Sequence, residues 1–447
     1  MYDELHRPQY HFTAREHWLN DPNGLVFYDG EYHLFFQHNP DSVKWGNMTW
    51  GHAVSPDLLH WEQLDHALLP DDLGTIFSGS AVIDWQDTSG LRTGDEKTMV
   101  ALYTSAGEHA ALPVPFTQSM AYSNDRGRTW TKYDQNPVIG HIRAQNRDPK
   151  VIWHEPSGHW IMALYLDDSD YALFRSEDLT NLQRTCGLNL PGVTECPDFF
   201  ELPVDGNSED RRWVFWGSCG GYLIGGFDGI DFVPETDVMH AEYGSNGYAA
   251  QTWSDLPAAD GRRIQISWMA DGKFPSMPFN QQMSFPVTLT LSRFEDGIRL
   301  CRAPIVELER LRTRTYLTEP CRLLPGKNLI PETIHDLLDI EISVEPASAH
   351  AFGLVVRGHT IEYDCFSKTI SCLGKEAPVV TGDSEITLRF LVDRTSVEIF
   401  SGDGRISMSH CFLPEAADVP IECFVRGGEL QIVSLRVHEL ASIWSTP

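Results

Sequence analysis

Three short motifs place an acidic residue one or two positions before a proline, and their side chains could perform acid–base or nucleophilic chemistry. They are Asn20-Asp21-Pro22, Arg147-Asp148-Pro149 and Glu195-Cys196-Pro197. Each motif alone has the composition of a turn, because Asp and Asn bond their own backbone and Pro presets its dihedral. Two carboxylates on either side of a sugar acetal can cleave it, one as nucleophile or base and the other as a protonated general acid. This chemistry requires a fold that brings the acids together.

The elements around these acids are predicted to be short β-strands. Runs of β-branched and aromatic residues alternate with Asp-Gly, Pro-Ser-Gly and Asn-Asp turns, and helical periodicity is scarce. A strand–turn–strand plan occurs five times, beginning at Asp21, Ser78, Asp148, Glu195 and Asn246, at spacings of 57, 70, 47 and 51 residues. Such repeats are typical of β-propeller blades. Because equivalent blade entrances converge on the propeller axis, we expect the three acids to share one pocket.

The last third of the chain has a different pattern. The stretch APIVELERLR, from Ala303, places Ile305, Leu308 and Leu311 at helical spacing, and six or more alternating strands follow at sandwich spacing. The predicted fold is therefore all-β, a five-bladed β-propeller followed by a C-terminal β-sandwich. The predicted domains are a catalytic propeller over residues 1–295, a linker with a short helix over 296–325, and the sandwich over 326–447.

Composition limits the partners. Acidic residues outnumber basic ones 63 to 34, for a formal charge of −29, so the protein should repel nucleic acid and anionic membranes. A neutral carbohydrate partner is compatible with this charge, which also serves solubility. No signal-peptide pattern or long apolar run is present, and the nine cysteines include no Cys-x-x-Cys pair. These features predict a cytoplasmic protein with reduced thiols and without a membrane segment.

No cofactor or metal ion is expected. The acidic stretch DDSD at Asp167 lacks the glycine and the terminal glutamate of a calcium-binding EF-hand loop. Polar and aromatic residues near the predicted entrances instead suit a sugar, whose hydroxyls need hydrogen-bonding groups and whose ring needs an apolar wall. The candidate hydrogen-bonding residues are Asn20, Gln37, Asn39, Ser78 and Arg147, and the candidate walls are Trp45 and Phe77.

Longer motifs resemble glycoside hydrolase family 32, the β-fructosidases, over essentially the whole chain. They include HFTAREHWLNDPNGLVFYDGEYHLFFQHNP, WGHAVSPDLLHW, FSGSAV, YSNDRGRTW, RDPKVIW, ECPDFFELPVDG and LVDRTSVEIFSGDGR, in the order found in the family. The resemblance implies a five-bladed propeller with a C-terminal β-sandwich. It also implies a retaining reaction, in which a covalent fructosyl-enzyme intermediate forms and is then hydrolysed.

The resemblance also implies roles for the acids. Asp21 would be the nucleophile that attacks the fructosyl anomeric carbon, C2, and Glu195 would protonate the leaving oxygen and then deprotonate water. Asp148 would stay ionised and hold fructose hydroxyls, with Arg147 lowering its pKa. In the family pattern Asn20, Gln37, Trp45, Phe77 and Ser78 also line the fructose pocket.

Several positions depart from the family pattern. Thr194 replaces a usual Trp and Thr49 a usual His, and the usual Asp-Phe-Tyr triplet reads Asn246-Gly247-Tyr248. After the SWM motif, Asp271-Gly272 replaces the usual Asn-Trp. Tyr248 and Asp271 are therefore further candidate substrate-binding residues. The departures are expected to remove aromatic walls, which leaves the sugar selectivity open.

These features predict a β-fructofuranosidase-type glycosidase that releases fructose from sucrose, short fructo-oligosaccharides, inulin or levan. One alternative is a fructosyltransferase, which uses the same intermediate but passes the fructosyl group to a sugar hydroxyl. Another alternative is a fructan-binding protein with a degenerate site. The sandwich is expected to cover propeller surface, and a homodimer is an open alternative.

Overall fold

The regular structure of this protein is almost entirely β-strand. A computed structural model describes residues 2–331, 334, 336–379, 385–414 and 421–444. In these residues the helices are three short 3-10 helices, Gly107–His109, Glu155–Ser157 and Val306–Leu311. None of the helices in the described ranges has the length and apolar character needed to span a bilayer. The predicted all-β class is confirmed.

The strands before residue 305 form groups that follow one another along the chain. The first groups contain β1 (His17–Tyr28), β2 (Glu31–Asn39), β3 (Thr49–Ser55), β4 (Glu62–Gln63), β5 (Thr75–Asp84), β6 (Thr98–Ala106), β7 (Thr117–Ser123) and β8 (Thr131–Lys132). The later groups contain β9 (Arg147–His154), β10 (His159–Asp167), β11 (Asp170–Ser176), β12 (Gln183–Asn189), β13 (Asp198–Val204), β14 (Asn207–Trp216), β15 (Gly221–Phe227), β16 (Phe232–Pro234), β17 (Met239–His240), β18 (Gly247–Thr252), β19 (Arg263–Met269), β20 (Phe279–Asn280), β21 (Val287–Phe294) and β22 (Gly297–Pro304).

Most neighbouring strands in these groups pair antiparallel. The sheet orders are β20-β1-β2-β3-β4, then β5-β6-β7-β8, then β9 to β12, and then β16-β15-β14-β13-β21-β19-β18, with β17 on β15 and β22 on β21. The last of these sheets is continuous through a single parallel pair, Val204 with Leu291. The first strands of the groups contact one another in a closed circuit, β1 with β5, β5 with β9, β9 with β13, β13 with β18, and β18 with β1.

Buried polar side chains occupy the first strands, whereas apolar cores lie between the groups. Lys150 on β9 donates to the carbonyl oxygen of Thr252 at 2.6 Å and lies 3.4 Å from an oxygen of Asp198. All three residues are buried. A buried ammonium group is tolerated only with such partners. Between the second and third groups, Val100, Leu102 and Met162 belong to one apolar cluster. The first strands therefore surround a polar interior.

The remaining strands form two further sheets. They are β23 (Arg312–Thr318), β24 (Cys321–Leu323), β25 (Leu338–Glu345), β26 (Ala351–Val356), β27 (His359–Asp364), β28 (Thr369–Cys372), β29 (Lys375–Pro378), β30 (Ile386–Asp393), β31 (Ser396–Ser401), β32 (Ser407–Cys411), β33 (Glu422–Arg426) and β34 (Leu430–Leu440). One sheet has the order β23-β34-β25-β30-β31-β32, with β24 on β34, and the other has the order β29-β28-β27-β26-β33. Their inner faces share one core, to which β25 contributes Ile340 and Ile342 and β26 contributes Phe352 and Leu354.

The stretch predicted as a linker, residues 296–325, differs from that expectation because most of it is strand. Strand β22 pairs with β21 across a turn at Glu295–Asp296, and β23 and β24 pair with β34. The predicted short helix is present as the 3-10 helix Val306–Leu311, with Leu308 and Leu311 buried. The sequence EDG lies between two alternating runs, a pattern that favours a β-hairpin. This hairpin extends the strands of the first half beyond residue 295.

The residues before β1, here called the N-terminal arm, join the two halves of the molecule through a buried histidine. His11 Nδ1 lies 2.8 Å from Asp393 Oδ2, and His11 Nε2 lies 2.8 Å from Glu398 Oε2. The backbone N–H of Gln9 also donates to Asp393. Burial alone would lower the pKa of His11, but the two carboxylates outweigh it and raise the pKa to about 9. An imidazolium therefore lies between two carboxylates in this interface.

The same arm contacts the final segment of the described chain. The Tyr2 and Trp444 rings are stacked with centroids 4.1 Å apart. The indole N–H of Trp444 donates to the carbonyl oxygen of Pro8 at 2.8 Å, and the backbone N–H of Ile443 donates to that of Gln9 at 2.8 Å. The two ends of the described chain are thus held side by side.

Candidate active site

One cavity of about 310 Å³ lies among the first strands of the first half. It contains all three sequence-predicted acids together with aromatic and amide side chains. Its lining consists of Asn20, Asp21, Gln37, Trp45, Phe77, Ser78, His109, Phe116, Gln145, Arg147, Asp148, Glu195, Tyr248 and Trp268. Its volume is at the small end of the range for ligand pockets.

Asp21 reaches the cavity from inside strand β1 and not from a tight turn. The turn-like sequence NDPNG is accommodated by irregularities in the pairing of β1 with β2, between Leu19 and Pro22 and between Asn23 and Val26. Gly24 has a φ of +55°, and a Cβ there would lie 2.5 Å from Cδ2 of Phe35. Bulged strands need the same residue types as turns. The predicted turn is therefore a bulged strand that re-aims the carboxylate.

The Asp21 carboxylate accepts hydrogen bonds from Ser78 and Asn20, and a longer one from the Cys196 thiol. The Ser78 hydroxyl donates to Oδ2 at 2.5 Å and the Asn20 amide donates to Oδ1 at 3.1 Å. Burial raises the pKa of Asp21, and the charge of Glu195 raises it further, while the bonds from Ser78 and Asn20 lower it. The result is a carboxyl whose pKa stays above 3.8 and whose orientation is fixed.

Asp148 is buried at the start of β9 with a φ of 65°. Its Oδ2 accepts the backbone N–H of Cys196 at 3.0 Å. Burial raises the pKa of Asp148 to about 7, with further increases from Asp21 and Glu195, and Arg147 opposes them. Arg147, whose Nε lies 3.8 Å from Asp148 Oδ2, lowers the pKa of Asp148 as expected, but burial outweighs this contribution and the net pKa is raised.

Glu195 is held at both carboxylate oxygens. Arg147 Nη2 donates to Oε1 at 2.5 Å, and Tyr248 Oη donates to Oε2 at 2.6 Å. Glu195 and Cys196 have φ values of 54° and 39°, a left-handed conformation that costs of the order of 1–3 kcal/mol per non-glycine residue. The backbone N–H of Ser218 donates to the carbonyl oxygens of Thr194 and Glu195, which helps to maintain this conformation.

The thiol of Cys196 lies between two of the acids. Its Sγ is 3.6 Å from Asp21 Oδ2 and 3.4 Å from Asp148 Oδ2. Burial raises the pKa of the Cys196 thiol well above its ordinary value, and the charges of Asp148, Asp21 and Glu195 raise it further. Asp21 and Asp148 therefore face one neutral, buried thiol.

An aromatic cluster forms one wall of the cavity. The Phe77 ring lies 6.0 Å from the Trp45 ring, 5.5 Å from the His109 ring and 5.4 Å from the Phe116 ring, measured between centroids. Trp45 is 49% exposed, so this wall extends to the mouth of the cavity. On the other side Tyr248 and Trp268 meet edge to face at 6.2 Å. Flat apolar walls with hydrogen-bonding groups between them suit a sugar ring.

The structure brings together most of the sequence-predicted residues. Asn20, Gln37, Trp45, Phe77, Ser78, Arg147 and Tyr248 all line the cavity. Asp271 is the exception among the predicted substrate-binding residues, because it is exposed and has a φ of 63° in the turn after β19. Asn39, a further candidate, donates instead to the carbonyl oxygen of Lys44.

Four lining residues were not singled out from the sequence. His109 and Phe116 come from the 3-10 helix after β6 and from the loop that follows it, and Gln145 lies two positions before Arg147. Trp268 pairs directly with Tyr248. The available signals were the spacing of Gln145 from the RDP motif and the SWM motif around Trp268. The 3-10 helix bearing His109 offered none.

At two of the departures from the family pattern, an added Cβ would contact residues outside the cavity lining. A Cβ at Gly247 would lie 2.6 Å from Glu242 Cγ, and one at Gly272 would lie 2.8 Å from Phe274 and 3.1 Å from Cys411 Sγ. Both glycines therefore face side chains that do not line the cavity. The expectation that these two departures remove aromatic walls from the pocket stays a prediction.

Comparison with known proteins gives concordant matches over nearly the whole chain. Residues 11–304 match the model of the glycosyl hydrolases family 32 N-terminal domain, and residues 307–439 match that of the family 32 C-terminal domain. The chain is 38% identical to a levanase of Bacillus subtilis over 492 residues, covering 100% of this chain and 72% of the levanase. It is 32% identical to an extracellular exo-inulinase of Aspergillus niger, covering 99% of this chain and 96% of that protein.

A solved structure shows the same fold. The crystal structure of an exo-inulinase from Aspergillus awamori superposes with a TM-score of 0.90 at 28% sequence identity, covering 99% of this chain and 100% of that one. The similarity extends over both halves of the molecule, including the strands that form the cavity.

Proposed function

The chain belongs to glycosyl hydrolase family 32, and on this premise we propose that it is a β-fructofuranosidase that releases fructose from sucrose, short fructo-oligosaccharides, inulin or levan. The observation that supports this most strongly is the grouping of Asp21, Asp148 and Glu195 in one small cavity. The formal charge of −29 agrees with a neutral sugar substrate. A cavity of this size favours a single terminal fructose unit over an internal segment of a polymer.

In the proposed first step, Asp21 attacks C2 of the bound fructosyl unit as the bond to the leaving oxygen breaks. Glu195 gives its proton to that oxygen, so the leaving group departs as a neutral alcohol. A covalent ester joins Asp21 to fructose at the end of this step. The bonds from Ser78 and Asn20 favour the ionised form of Asp21 that the attack requires.

In the proposed second step, Glu195 has lost its proton and takes one from a water molecule that attacks C2. The ester bond breaks, Asp21 regains its charge, and fructose leaves with its anomeric configuration retained. Tyr248 and Arg147 would hold the Glu195 carboxylate in both steps. Asp148 would bind fructose hydroxyls and stabilise the positive charge that develops on the ring, and with its pKa of about 7 it does so most fully above neutral pH.

We also propose the finer architecture. The closed circuit of contacts among β1, β5, β9, β13 and β18 supports a five-bladed propeller with one of these strands innermost in each blade. The pairing of β22 with β21 supports a catalytic domain that extends to Pro304. The β-sandwich domain then begins at Arg312, where β23 joins the sheet containing β34.

The cellular location stays a prediction from the sequence. All nine cysteines are unpaired, which agrees with a reducing compartment. The relative from Aspergillus niger, by contrast, is described as extracellular. Fractionation of the producing cells, with an assay of fructosidase activity in each fraction, tests the predicted cytoplasmic location.

A substrate panel with product analysis tests the proposed activity. The protein is incubated with sucrose, kestose, inulin and levan, and free fructose and new oligosaccharides are quantified over time. We expect free fructose as the main product. Accumulation of longer oligosaccharides at low sucrose concentration would identify a transferase, and tight binding without turnover would identify a fructan-binding protein.

Substitution of the two principal acids tests their roles. Asp21→Asn and Glu195→Gln should each retain the fold and lose at least about a thousandfold in kcat, a barrier increase of about 4 kcal/mol. With an aryl fructoside, whose leaving group needs no proton, azide should partly restore turnover by Glu195→Gln, because an anionic nucleophile needs no general base. Asp134→Asn and Glu319→Gln, both at exposed positions, are the matched controls. Wild-type activity in either principal variant would rule out the assigned roles.

A further inference from the structure

The segment that leads into Tyr248 is bound to the C-terminal half of the molecule. This connecting segment (residues 241–247) runs from β17 to the start of β18. The backbone N–H of Tyr243 donates to the carbonyl oxygen of Ser407 at 2.9 Å, and the N–H of Ser407 donates to that of Ala241 at 2.9 Å. Strand β32 of the C-terminal sheet thus pairs with the segment.

Asn246, at the far end of the connecting segment, is tied to the same strand. Its backbone N–H donates to the carbonyl oxygen of Ser409 at 3.0 Å. Its side-chain oxygen accepts the N–H of Cys411 at 2.8 Å, and its side-chain amide donates to the carbonyl oxygen of Ala270. Asn246, two residues before Tyr248, is therefore placed by β32 and by the turn after β19.

Glu242 is the buried centre of this junction. One carboxylate oxygen accepts the backbone N–H groups of Ser409 at 2.7 Å and Gly244 at 2.8 Å. The other accepts Arg302 Nη1 at 2.7 Å and the Ser407 hydroxyl at 3.0 Å. Burial alone would raise the pKa of Glu242, but Arg302 and the backbone donors outweigh it and hold the pKa below its ordinary value. One ionised side chain thus joins the connecting segment, β22 and β32.

Because Gly247 has no side chain, the Glu242 carboxylate can lie directly beside the start of strand β18. A Cβ at Gly247 would lie 2.6 Å from Cγ and 2.7 Å from Cδ of Glu242, so the Glu242 side chain packs directly on the backbone of the residue before Tyr248. The next side chain along the strand donates from Tyr248 Oη to Glu195 Oε2 at 2.6 Å. Glu242 thus contacts the backbone of Gly247, and the side chain of the adjacent Tyr248 contacts the proposed acid–base residue Glu195.

We propose that Glu242 is a positioning residue, through which strand β32 of the C-terminal sheet holds Tyr248 in hydrogen-bonding contact with Glu195. The inference rests on the proposed fructosidase function. A displacement of about 1 Å at Tyr248 Oη would break a 2.6 Å hydrogen bond, and Glu195 would then keep only its contact with Arg147. The C-terminal half would in this way act on the proton-transfer geometry of a site to which it contributes no lining residue among those described.

The substitution Glu242→Gln tests this inference, with Glu398→Gln as its matched control. Both glutamates are buried, both lie between the two halves, and both accept a backbone N–H, from Ser409 and Phe285 respectively. In Glu242→Gln the new amide nitrogen would face a hydrogen-bond donor whichever way the amide is turned, so the connecting segment should shift. Glu398 bonds to His11 and not to the connecting segment.

The readout compares two leaving groups. Sucrose needs a proton on its leaving oxygen, whereas an aryl β-fructofuranoside with a nitrophenolate leaving group does not. At a temperature where circular dichroism shows each variant folded, Glu242→Gln should lower kcat/KM for sucrose about tenfold and leave kcat/KM for the aryl fructoside within about twofold. Glu398→Gln should leave kcat/KM unchanged for both substrates, even if it lowers the melting temperature by as much as Glu242→Gln does. Equal losses on both substrates, or equal behaviour of the two variants, would overturn the inference.

A double-mutant cycle with Tyr248→Phe tests whether the effect passes through Tyr248. In the Tyr248→Phe background, Glu242→Gln should produce no further loss on sucrose, whereas independent effects would multiply. Multiplying losses would overturn the inference. If Glu242→Gln does not fold, Ser409→Ala removes only the hydroxyl bond to the same carboxylate, 3.1 Å long, and should give a smaller loss of the same kind. A wild-type protein inactive on both substrates would instead contradict the proposed function.

Discussion

At the scale of single residues, the three acids of the cavity differ in what surrounds them. Asp21 faces the donors of Ser78, Asn20 and the Cys196 thiol. Asp148 faces the backbone N–H and thiol of Cys196 and a more distant guanidinium. Glu195 has a donor at each oxygen. Carboxyl groups given different environments take different protonation roles. The donors around Asp21 favour a charged nucleophile, and the deep burial of Asp148 gives it a pKa near neutrality.

The variant Ser78→Ala is expected to change the pH dependence of activity. The Ser78 hydroxyl lowers the pKa of Asp21 by donating to its carboxylate, so its removal should raise that pKa and move the acid limb of kcat/KM to higher pH. The measurement is a pH–rate profile with sucrose. Ser80→Ala is the matched control, since Ser80 lies on the same strand but donates to the carbonyl oxygen of Pro149; a shift of the same size in that variant would contradict the explanation.

The sequence predicted the site residues that belong to strand entrances, and it missed residues placed by tertiary contacts. Asp21, Asp148 and Glu195 follow from a repeated strand plan, so their convergence could be inferred. His109 reaches the cavity from a 3-10 helix. The preceding residue, Glu108, accepts a hydrogen bond from the Gln145 amide at 2.9 Å, and this contact joins segments of two different strand groups. Asp271 was predicted from its place in a motif, but the turn after β19 leaves it exposed.

At the scale of elements, strand β1 shows how a turn-like sequence can be part of a strand. Its pairing with β2 contains two irregularities around Asp21 and Gly24. The composition Asn-Asp-Pro-Asn-Gly is compatible with a bulge as well as a turn, because Gly supplies a positive φ in both and Pro is tolerated in both. Local composition alone cannot distinguish a bulge from a turn, whereas the pairing of β1 with β2 does.

The variant Gly24→Ala should both destabilise the protein and impair catalysis. The added Cβ would lie 2.5 Å from the buried Phe35 ring, and overpacking of this kind costs about 1–3 kcal/mol. We expect kcat to fall as well, because Asp21 lies in the same bulged stretch. Urea unfolding and initial rates on sucrose are the measurements. Gly30→Ala, at a φ of +86° with nothing within 4 Å of the new Cβ, tests the backbone strain without the clash and should leave kcat unchanged.

At the scale of the whole molecule, the two halves are joined by buried charges that the sequence could not pair. His11 contacts Asp393 and Glu398, more than 380 positions away, and Glu242 contacts Arg302 and β32. The strand patterns of each half were readable from periodicity, so the fold class was predicted. The contacts between the halves depend on how two finished sheets meet, and no local pattern encodes that.

The His11 interaction predicts a pH dependence of stability. Because its pKa rises from 6.5 to about 9 on folding, the protonated form stabilises the protein by about 3 kcal/mol. This contribution is complete below pH 6.5 and is lost as the pH rises through about 9. Urea unfolding of wild type and His11→Gln at pH 6, 7.5 and 9.5 should show a difference in unfolding free energy that shrinks with pH. The exposed-site variant His141→Gln should show no such trend, and a constant difference for His11→Gln would contradict the prediction.

The N-terminal arm also has a consequence for biosynthesis. Gln9 and His11 bind Asp393, and Trp18 at the start of β1 pairs with Asn280. A ribosome adding about 5–20 residues per second needs roughly 20–80 s to pass from the arm to Asp393. Throughout that interval the arm is outside the ribosome while its partner Asp393 has not yet been synthesised. The nascent chain must therefore remain soluble while its first sheet lacks β20, and the arm can dock only after Asp393 has been translated.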